Sequence, residues 1–528
     1  MSGDFLTDDQ VQKYGCYAAE PNEVQLARYF HLDERDLDFV NQRRGRHNRL
    51  GIALQLTTAR FLGTFLHDLM QIPDGVRFYV AAQLGIPRPE ILSRYAQRDN
   101  TRWEHHALIR QHYGYHDFGD FPWTFRLKRL LYVRIWLSNE RPGLMFDFAT
   151  AWLLQYKVLL PAASTLTRII GEIRERANRR LWRKLASLPD SWQTAQLACL
   201  LEIPEGQRVS VMEQLRKGPV AVSGPSFTEA LERYTRLRNL EFSRLNFSGL
   251  PAIQLRNLAR YAGMTSAKYI ARMPEVRRLA VLTAFVKAQE ISALDDAVDV
   301  LDMLILDIAR EAKKTGQKKR LRTLKDLDRA ALLLARACAL LLDENTDEST
   351  LRKTIFKSVP IARLAESVDK VNELARPQDT NFQDEMVEQY GRVKRFLPAL
   401  LRDLHFSSSP DGEHTLAAIH YLAELIGSKK RILDDAPEHI ITGPWKRLVY
   451  DAEGRIQRAG YSLCLLERLQ DALRRRDIWL ENSERWGDPR QKLLQGKEWQ
   501  AQRIAVCRAL GAPHRWQKSH RADGEPAG

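Results

Sequence analysis

Apolar residues recur at helical spacing along nearly the whole chain. Leu294, Val298, Leu301 and Leu304, for example, fall on one face of a helix. The best strand signal is the stretch WKRLVYDAEGRIQRAGY at 445–461, in which two short alternating runs flank an Asp-Ala-Glu-Gly turn. The pattern therefore predicts a mainly α, multidomain helical protein with helix-turn-helix-like units and at most an isolated β-hairpin.

Charge is distributed unevenly along the sequence. The 528 residues include 81 Lys or Arg and 66 Asp or Glu, which gives a formal net charge of +15. Residues 1–40 carry nine acids and three basic residues, whereas residues 41–60 carry five arginines and no acid. Residues 123–186 hold thirteen Lys or Arg against four Asp or Glu. Such concentrated basic segments indicate a negatively charged partner.

The sequence carries no signal for export or membrane insertion. The N-terminus lacks the basic start and apolar core of a signal peptide, and no stretch offers the roughly eighteen uninterrupted apolar residues of a membrane span. The five cysteines contain no Cys-x-x-Cys pair, which disfavours a disulfide framework or a thiolate metal site. We therefore expect a cytoplasmic protein in a reducing compartment, without a membrane partner.

The stretch RRGRHNRLGIALQLTTARFLGTF places an arginine cluster directly before an amphipathic helix. Two short helices, capped by Asn22 and Asp33, are expected to precede it. Guanidinium groups at the N-terminal end of a helix oppose its dipole, and an anion at that position would relieve the repulsion. This pattern favours phosphate binding over a solvated charged surface. The residues expected to contribute are Arg43, Arg44, Arg46, Asn48 and Arg49.

A second segment, VAAQLGIPRPEILSRYAQR, has the features of a helix-turn-helix unit. Gly85 can take the positive φ that a tight turn between helices requires, and Pro89 fits the first turn of the following helix. Arginine can pair with guanine or phosphate, and glutamine can pair with adenine, so the second helix suits a DNA groove. An ordinary helical hairpin would show the same pattern. The side chains predicted to face DNA are Arg88, Ser93, Arg94, Gln97 and Arg98.

A third basic element is STLTRIIGEIRERANRRLWRKL at 164–185, which predicts a helix capped near Ser164 or Thr165. Glu172 and Glu175 offer two ion pairs within the helix, so one alternative is a solvated face. Because the basic residues outnumber these two acids, we favour a track of phosphate contacts. The predicted contacts are Arg168, Arg174, Arg179 and Arg183.

Two further features invite comparison with metal sites, and neither is complete. His112 and His116 have zinc-compatible spacing, but no Cys or paired carboxylate is placed to complete the site. Asp295, Asp299 and Asp302 lie along one side of a helix, where a solvated face is favoured over a magnesium site. The sequence also lacks a Gly-rich phosphate loop, a Gly-x-Ser-x-Gly elbow and a His-Glu-x-x-His motif. It therefore predicts no complete active site.

Five blocks of the chain together resemble a known family. They are RRGRHNRLGIALQLTTARFLGTF, VAAQLGIPRPEILSRYAQRDNTRWEHHALIRQHYGYHDF, RMPEVRRLAVLTAFVKAQEISALDDAVDVLDML, YGRVKRFLPALLRDLHF and GYSLCLLERLQDALRRRDIWLENSERWGDPRQKLL. In this order they are similar to successive blocks of the Tn-three family of replicative transposases. The likeness is collinear from about residue 5 to about residue 508.

The resemblance implies a protein that binds double-stranded DNA at the terminal inverted repeats of its element through N-terminal helical domains. In that family, two aspartates and a glutamate that bind magnesium in an RNase-H-like domain carry out strand cleavage and transfer. That domain follows the block RDIWLENSERWGDPR, after which only about forty residues remain here. We therefore expect a catalytically incomplete chain without a cofactor of its own, magnesium being implied only for the missing domain.

The resemblance also organises the chain into expected segments and partners. A homodimer or a full-length transposase is the expected protein partner, and a nucleoid-associated bacterial location is expected. The alternative is a helical scaffold or regulatory protein that contacts RNA or protein through its basic surface. The predicted segments are a first helical DNA-binding domain (1–75), a second, helix-turn-helix-like DNA-binding domain (76–120), a basic helical domain (121–220), a helical linker or assembly domain (221–345), a helical pre-catalytic domain (346–508) and a divergent, disordered tail (509–528).

Overall fold

The chain folds into helices that group into two compact units. The computed structural model describes residues 5–96, 99–342, 348–374, 382–493 and 496–509. The first unit contains residues 1–210 and 244–286, and the second contains residues 211–243 and 287–528. Helices dominate both units, which confirms the mainly α, multidomain fold predicted from the apolar spacing.

The first unit is built mainly from short helices. In chain order they are α1 (Asp8–Lys13), α2 (Glu23–Tyr29), α3 (Glu34–Asn41), α4 (Arg46–Leu62), α5 (Asp74–Gln83), α6 (Leu92–Ala96), α7 (Asp99–Tyr113), α8 (Trp123–Leu137), α9 (Pro142–Gln155), α10 (Ala163–Ala186), α11 (Ser191–Cys199), α14 (Ala252–Met264) and α15 (Ala267–Ala271). Short 3₁₀ helices occur at Leu69–Gln71 and Pro89–Ile91.

The second unit combines helices with short strands. Its elements are α12 (Val211–Leu215), α13 (Gly224–Arg238), α16 (Glu275–Leu341, which begins in the first unit), α17 (Glu348–Ser358), α18 (Ile361–Leu374), α19 (Gln383–Glu388), α20 (Tyr390–Asp403), β1 (Phe406–Ser408), α21 (Glu413–Glu424), β2 (Ile432–Leu433), α22 (Gly443–Val449), β3 (Ile456–Gln457), α23 (Arg458–Arg475), β4 (Ile478–Leu480) and α24 (Gly496–Ala509). Further 3₁₀ helices lie at Phe242–Arg244, which ends in the first unit, and at Pro410–Gly412, Glu438–Ile440 and Pro489–Lys492.

Side-chain caps fix the starts of α2 and α3. Asn22 accepts a hydrogen bond from the backbone N–H of Gln25 over 2.9 Å, and Asp33 accepts one from that of Asp36 over 2.8 Å. Both interactions are part of capping boxes, so the two predicted caps are confirmed.

The predicted cap of α10 at Ser164 or Thr165 is wrong. The helix begins at Ala163, and Ala162 at the capping position offers no side-chain acceptor. Ala163 is buried, so packing against the core sets the start of the helix ahead of both hydroxyls.

A hydrophobic core surrounds α4, which is buried without interruption from Leu50 to Ala59. Helices α3, α5, α6 and α7 pack against it. Gly51 permits the closest of these approaches, because a Cβ atom there would lie 2.5 Å from the ring of Tyr95. This core also includes Ile109, so residues on both sides of position 75 contribute to it.

A second core in the first unit lies among α8, α9 and α10. Leu131 of α8, Met145 of α9 and Leu166 and Ile170 of α10 are fully buried there. Because one face of α10 is used in this way, its arginines are confined to the opposite face and its flanks.

The acidic side of α16 is packed in the second unit, and the interpretation as a solvated face is wrong. Asp295 is 4% exposed and accepts a hydrogen bond from the Ser483 hydroxyl over 2.5 Å. Asp299 accepts hydrogen bonds from the Trp486 indole N–H over 2.7 Å and from the Arg485 guanidinium. These partners lie almost 190 positions further along the chain. The local charge pattern of α16 therefore could not reveal them.

Asp302, the third acid of that row, is also engaged. It accepts hydrogen bonds from the Gln470 amide over 2.9 Å and from Arg474 Nε over 2.8 Å, both on α23. The row of aspartates is therefore a packing contact between α16 and the segment 470–486.

The predicted β-hairpin at 445–461 is wrong in its first half. Residues 443–449 form α22, because Pro444 suits the first turn of a helix and Trp445 is buried. The predicted turn is present, since Tyr450 forms an antiparallel bridge with Ile456, and the second run supplies β3. However, β3 pairs antiparallel with β2, and β1 pairs antiparallel with β4. The described part of the chain thus has two separate two-stranded sheets.

Over the same residues, no helix combines the length and apolar character needed to cross a membrane.

Candidate nucleic-acid interface

The loop between α3 and α4, which carries the arginine cluster, is held in shape by α4 itself. Arg49 donates from Nε to the carbonyl oxygen of Arg43, and the Asn48 amide donates to that of Arg44, each over 2.9 Å. Gly45 adopts φ +86°, a conformation that favours glycine. Two predicted phosphate contacts, Asn48 and Arg49, therefore fix the backbone that carries the others.

The N-terminal end of α4 presents backbone donors beside exposed guanidinium groups. Gly45 provides no side-chain cap, and the first turn contains no acid. Arg44 and Arg46 are exposed, and no carboxylate in the described ranges pairs with either of them. Because the first N–H groups of a helix have no partner within it, this end favours an anion.

Arg43 is more shielded than its neighbours. Its guanidinium carbon lies 5.7 Å from the ring centre of Phe39, and its Nη2 donates to the Gln42 side chain over 3.1 Å. Its Nε is buried and has no hydrogen-bond partner among the described residues. The loop thus contains a partly buried cation that is held by an aromatic ring and not by a carboxylate.

The helix-turn-helix-like element has its predicted turn, and the described part of its second helix is α6. Gly85 adopts φ +64° after α5, and Pro89 begins a 3₁₀ helix that leads into α6. The structure describes α6 over Leu92–Ala96, up to the point where the described range ends. Leu92 and Tyr95 are buried against the core around α4, whereas Ser93 and Arg94 between them face outward.

The predicted side chains of this element are exposed wherever the structure describes them. Arg88, Ser93 and Arg94 all lie on the surface, and the Ser93 hydroxyl donates to the carbonyl oxygen of Glu90 over 3.0 Å. Gln97 and Arg98 lie outside the described residues. Arg88 and Arg94 are therefore the two long side chains of this element that lie exposed within the described residues.

The two ion pairs predicted within α10 are present. Arg168 pairs with Glu172 over 2.7 Å, and Arg179 pairs with Glu175 over 3.0 Å, with both pairs well exposed. Arg183 is exposed and has no carboxylate partner in the described ranges. Exposed pairs contribute little to stability and can open at low cost, so all three arginines can contact phosphate.

Arg174, also predicted as a contact on α10, has a different environment. Its Nη1 donates to the carbonyl oxygen of Glu140 over 3.2 Å, and its burial lowers the pKa of the guanidinium. This side chain connects α10 with the segment before α9.

Aromatic side chains of α8 orient two further arginines of α10, which are not among the contacts predicted from the sequence. Tyr132 and Trp136 stack with ring centres 6.4 Å apart and planes 7° apart. The Arg180 guanidinium lies 5.1 Å from the Trp136 ring and donates to the Tyr132 hydroxyl over 3.0 Å. Arg176 lies 6.0 Å from the Tyr132 ring, and both arginines are exposed. Tyr132 and Trp136 are four residues apart on α8, as are the two arginines on α10. This matching spacing is the sequence signal from which the contact could have been predicted.

The described residues do not support a metal-based site. The His112 ring stacks on Phe39 with ring centres 4.7 Å apart, whereas the ring centre of His116 lies 4.8 Å from that of Trp123. No group of three or more His, Cys, Asp or Glu side chains among the described residues is arranged to hold a metal ion. The α16 aspartates accept hydrogen bonds from arginine, serine, indole and amide donors, so their oxygens are engaged in packing contacts.

Comparisons with known proteins agree with the resemblance seen in the sequence. Residues 5–173 match a family described as "Domain of unknown function (DUF4158)". The chain is 82% identical over 513 residues to the transposase for transposon gamma-delta of Escherichia coli (strain K12), covering 97% of this chain and 51% of the relative.

More distant relatives are also transposases. The transposase for transposon Tn1546 of Enterococcus faecium is 26% identical over 502 residues, covering 94% of this chain and 50% of the relative. The transposase for transposon Tn501 of Pseudomonas aeruginosa is 28% identical over 496 residues, which cover 93% of this chain and 50% of the relative. The chain spans about half the length of the curated relatives it matches. By sequence, the chain belongs to the Tn-three family of transposases.

Proposed function

We propose that this chain binds double-stranded DNA at the terminal inverted repeats of a transposable element and thereby takes part in transposition. The observation that carries the proposal is the uncapped start of α4 beside Arg44 and Arg46, which no described carboxylate neutralises. Phosphate oxygens are suitable ligands for this arrangement of N–H donors and guanidinium groups.

The proposed interface assigns different roles to different elements. The loop before α4 and the exposed face of α10 contact phosphates, which sets affinity and position on the duplex. Arg94 on α6, together with Gln97 and Arg98 as predicted from the sequence, contacts bases in a groove. Asn48, Arg49 and Arg174 support the loop and the helix packing through bonds to backbone carbonyl oxygens.

The proposal extends to location and partners. A protein with this role acts on DNA in the bacterial cytoplasm, in association with the nucleoid. Its protein partner is a second copy of the chain or a full-length transposase, because a transposable element has two ends that must be brought together.

The test compares a duplex carrying the terminal repeat of the gamma-delta element with a shuffled duplex of equal length, by fluorescence anisotropy between 50 and 300 mM KCl. We expect tighter binding to the repeat, and affinity for both duplexes that falls steeply with salt. Replacing both Arg44 and Arg46 with alanine should lower the slope of log affinity against log salt by about 1.8, if each arginine neutralises one phosphate.

Lys13→Ala is a matched control, because Lys13 is also exposed but is paired with Asp9 over 2.8 Å. We expect this variant to bind like the unaltered protein. Equal affinity for repeat and shuffled duplexes would contradict repeat recognition, and a preference for RNA or for a protein partner over DNA would support the scaffold alternative instead.

A further inference from the structure

A cavity of about 310 Å³ lies in the first unit, between the segment that follows α4 and the start of α7. This volume is at the lower end of the range of about 300–1,000 Å³ that is typical of small-molecule sites. Its lining includes Phe65, Arg102, Trp103, His106 and Phe118. The cavity therefore has the size for one planar ring system and walls that are rich in aromatic groups.

The aromatic walls have a defined arrangement. Phe65 and His106 stack with ring centres 4.1 Å apart and planes 6° apart. Trp103 meets His106 edge to face, with ring centres 6.0 Å apart. Trp103 is nevertheless 67% exposed, although tryptophan is normally well buried unless it contacts a ligand or a partner. Its indole ring is thus available for stacking at the edge of the cavity.

One polar atom in the wall lacks a partner. His106 Nε2 is buried and has no hydrogen-bond partner among the described residues. Burial, followed by the positive charges of Arg102 and Arg110, lowers the pKa of His106 to about 4. The imidazole is therefore neutral near pH 7, and its ring nitrogens can offer one donor and one acceptor. Because Nε2 is covered in the unbound protein, a ligand edge pairs with it only when the side chains over it shift, and that pairing removes the cost of an unsatisfied buried group.

The cavity lies close to the proposed base-recognition element. Helix α6, which carries Arg94, packs against the 3₁₀ helix Leu69–Gln71. That 3₁₀ helix follows directly on the segment 64–67, which forms one wall of the cavity. Arg102 donates to the carbonyl oxygen of His67 over 2.8 Å and so ties the start of α7 to this wall.

We infer that this cavity receives a single unstacked nucleobase, which stacks on Trp103 and presents its polar edge to His106. The inference rests on the proposed DNA-binding function and adds a second mode of contact to it. Purines and pyrimidines combine a flat π-face with donors and acceptors at the edge, which is the combination that an indole and a neutral imidazole can bind. The source of the base is the bound DNA, where a local distortion or an unpaired position would expose it.

The full chain is tested against two 30-base-pair duplexes that differ only in one central unpaired adenine. Binding is measured by anisotropy at fixed salt. We expect the bulged duplex to bind about tenfold more tightly than the intact duplex, from one base–aromatic stacking contact. Trp103→Ala should abolish this preference without changing affinity for the intact duplex by more than about twofold. Trp103→Phe, which keeps an aromatic face, should retain part of it.

Trp192→Ala is the matched control, because Trp192 is 49% exposed in the same unit but does not line the cavity. His106→Phe keeps the ring that stacks on Phe65 and removes both nitrogens, so it should reduce the preference for the bulge by several-fold. A further arm titrates 2-aminopurine deoxyriboside and follows its fluorescence, which separates a free nucleoside from an unpaired base in DNA.

The possible outcomes distinguish the two proposals. Equal binding of bulged and intact duplexes, or a bulge preference that persists in Trp103→Ala, would overturn the nucleobase site while leaving duplex binding in place. Absence of salt-dependent binding to intact duplex would overturn the proposed function instead. If the fluorescence of the free nucleoside were then still quenched in a Trp103-dependent way, the cavity would be supported as a nucleotide site. If it were not quenched, the nucleobase site would be overturned as well.

Discussion

Arg49 Nε lies 2.9 Å from the carbonyl oxygen of Arg43, so one arginine of the cluster shapes the loop that presents the others. This bond depends on the planar guanidinium, because its Nε is a donor at a fixed position along the side chain. Lysine has the same charge but no donor at that position. Charge and loop geometry can therefore be separated experimentally at Arg49.

We predict that Arg49→Lys weakens binding to the repeat duplex nearly as much as Arg49→Ala does, by about five- to tenfold. The physical reason is loss of the bond to Arg43, which loosens the loop before α4. Arg44→Lys is the control, since Arg44 is exposed and retains its charge in this variant. If Arg49→Lys instead bound DNA like the unaltered protein, Arg49 would contribute only charge.

Arg94 and Arg183 should differ in how they affect recognition. Arg94→Ala is expected to reduce discrimination between repeat and shuffled duplexes by about 1–3 kcal/mol, because a base contact carries sequence information. Arg183→Ala should weaken binding to both duplexes equally and lower the salt slope by about 0.9, as for one lost phosphate contact. Competition anisotropy at several salt concentrations measures both quantities. The assignment fails if Arg183→Ala changes discrimination and Arg94→Ala does not.

The acidic row of α16 should matter for folding of the second unit. Asp295→Ala is expected to lower the free energy of unfolding by about 2–4 kcal/mol, because it leaves the Ser483 and Arg485 donors without their buried acceptor. Asp307→Ala on the same helix is the control. Its exposed pair with Arg392 should contribute less than about 1 kcal/mol. Urea unfolding followed by circular dichroism would show the difference, and similar losses for both variants would contradict the packing role.

Acidification should destabilise the first unit through His105. Burial, followed by the charge of Arg43, lowers the pKa of His105 to about 4, and the Tyr95 hydroxyl lies 3.0 Å from its Nδ1. Because the unfolded chain takes up this proton near pH 6.5 and the folded chain only near pH 4, stability is complete above pH 6.5 and falls as the pH drops toward 4.

Thermal unfolding of the unaltered protein and of His105→Gln at pH 7.5, 6 and 5 measures this effect. We expect the melting temperature of the unaltered protein to fall with pH over this range, and that of His105→Gln to fall less. Parallel curves for the two proteins would show that His105 is not responsible.

Local features of the structure were predictable from the sequence. The caps Asn22 and Asp33, the turn at Gly85 and the ion pairs of α10 depend on residues within four positions of one another. Such interactions are set by helix geometry and by the intrinsic preferences of the residues.

Features that depend on distant or backbone partners were not predictable in the same way. The acceptors of Arg49 and Arg174 are carbonyl oxygens, which every residue possesses and which no pattern of side chains reveals. The α22 helix replaced the first predicted strand because Trp445 is buried in the second unit, a tertiary effect that outweighs local alternation. Membership of the Tn-three family was recognisable because it rests on blocks in order, not on single contacts.

The backbone at Gly45 keeps the start of α4 open for a ligand. An aspartate or serine at position 45 would carry an oxygen that could accept from the free N–H groups, but at φ +86° any side chain is strained, and its Cβ atom would lie 3.0 Å from the His47 ring. The same oxygen would compete with phosphate among the arginines. Engineering for heat resistance should therefore leave Gly45 unchanged, because a substitution there is expected to lower the melting temperature and to weaken binding to DNA.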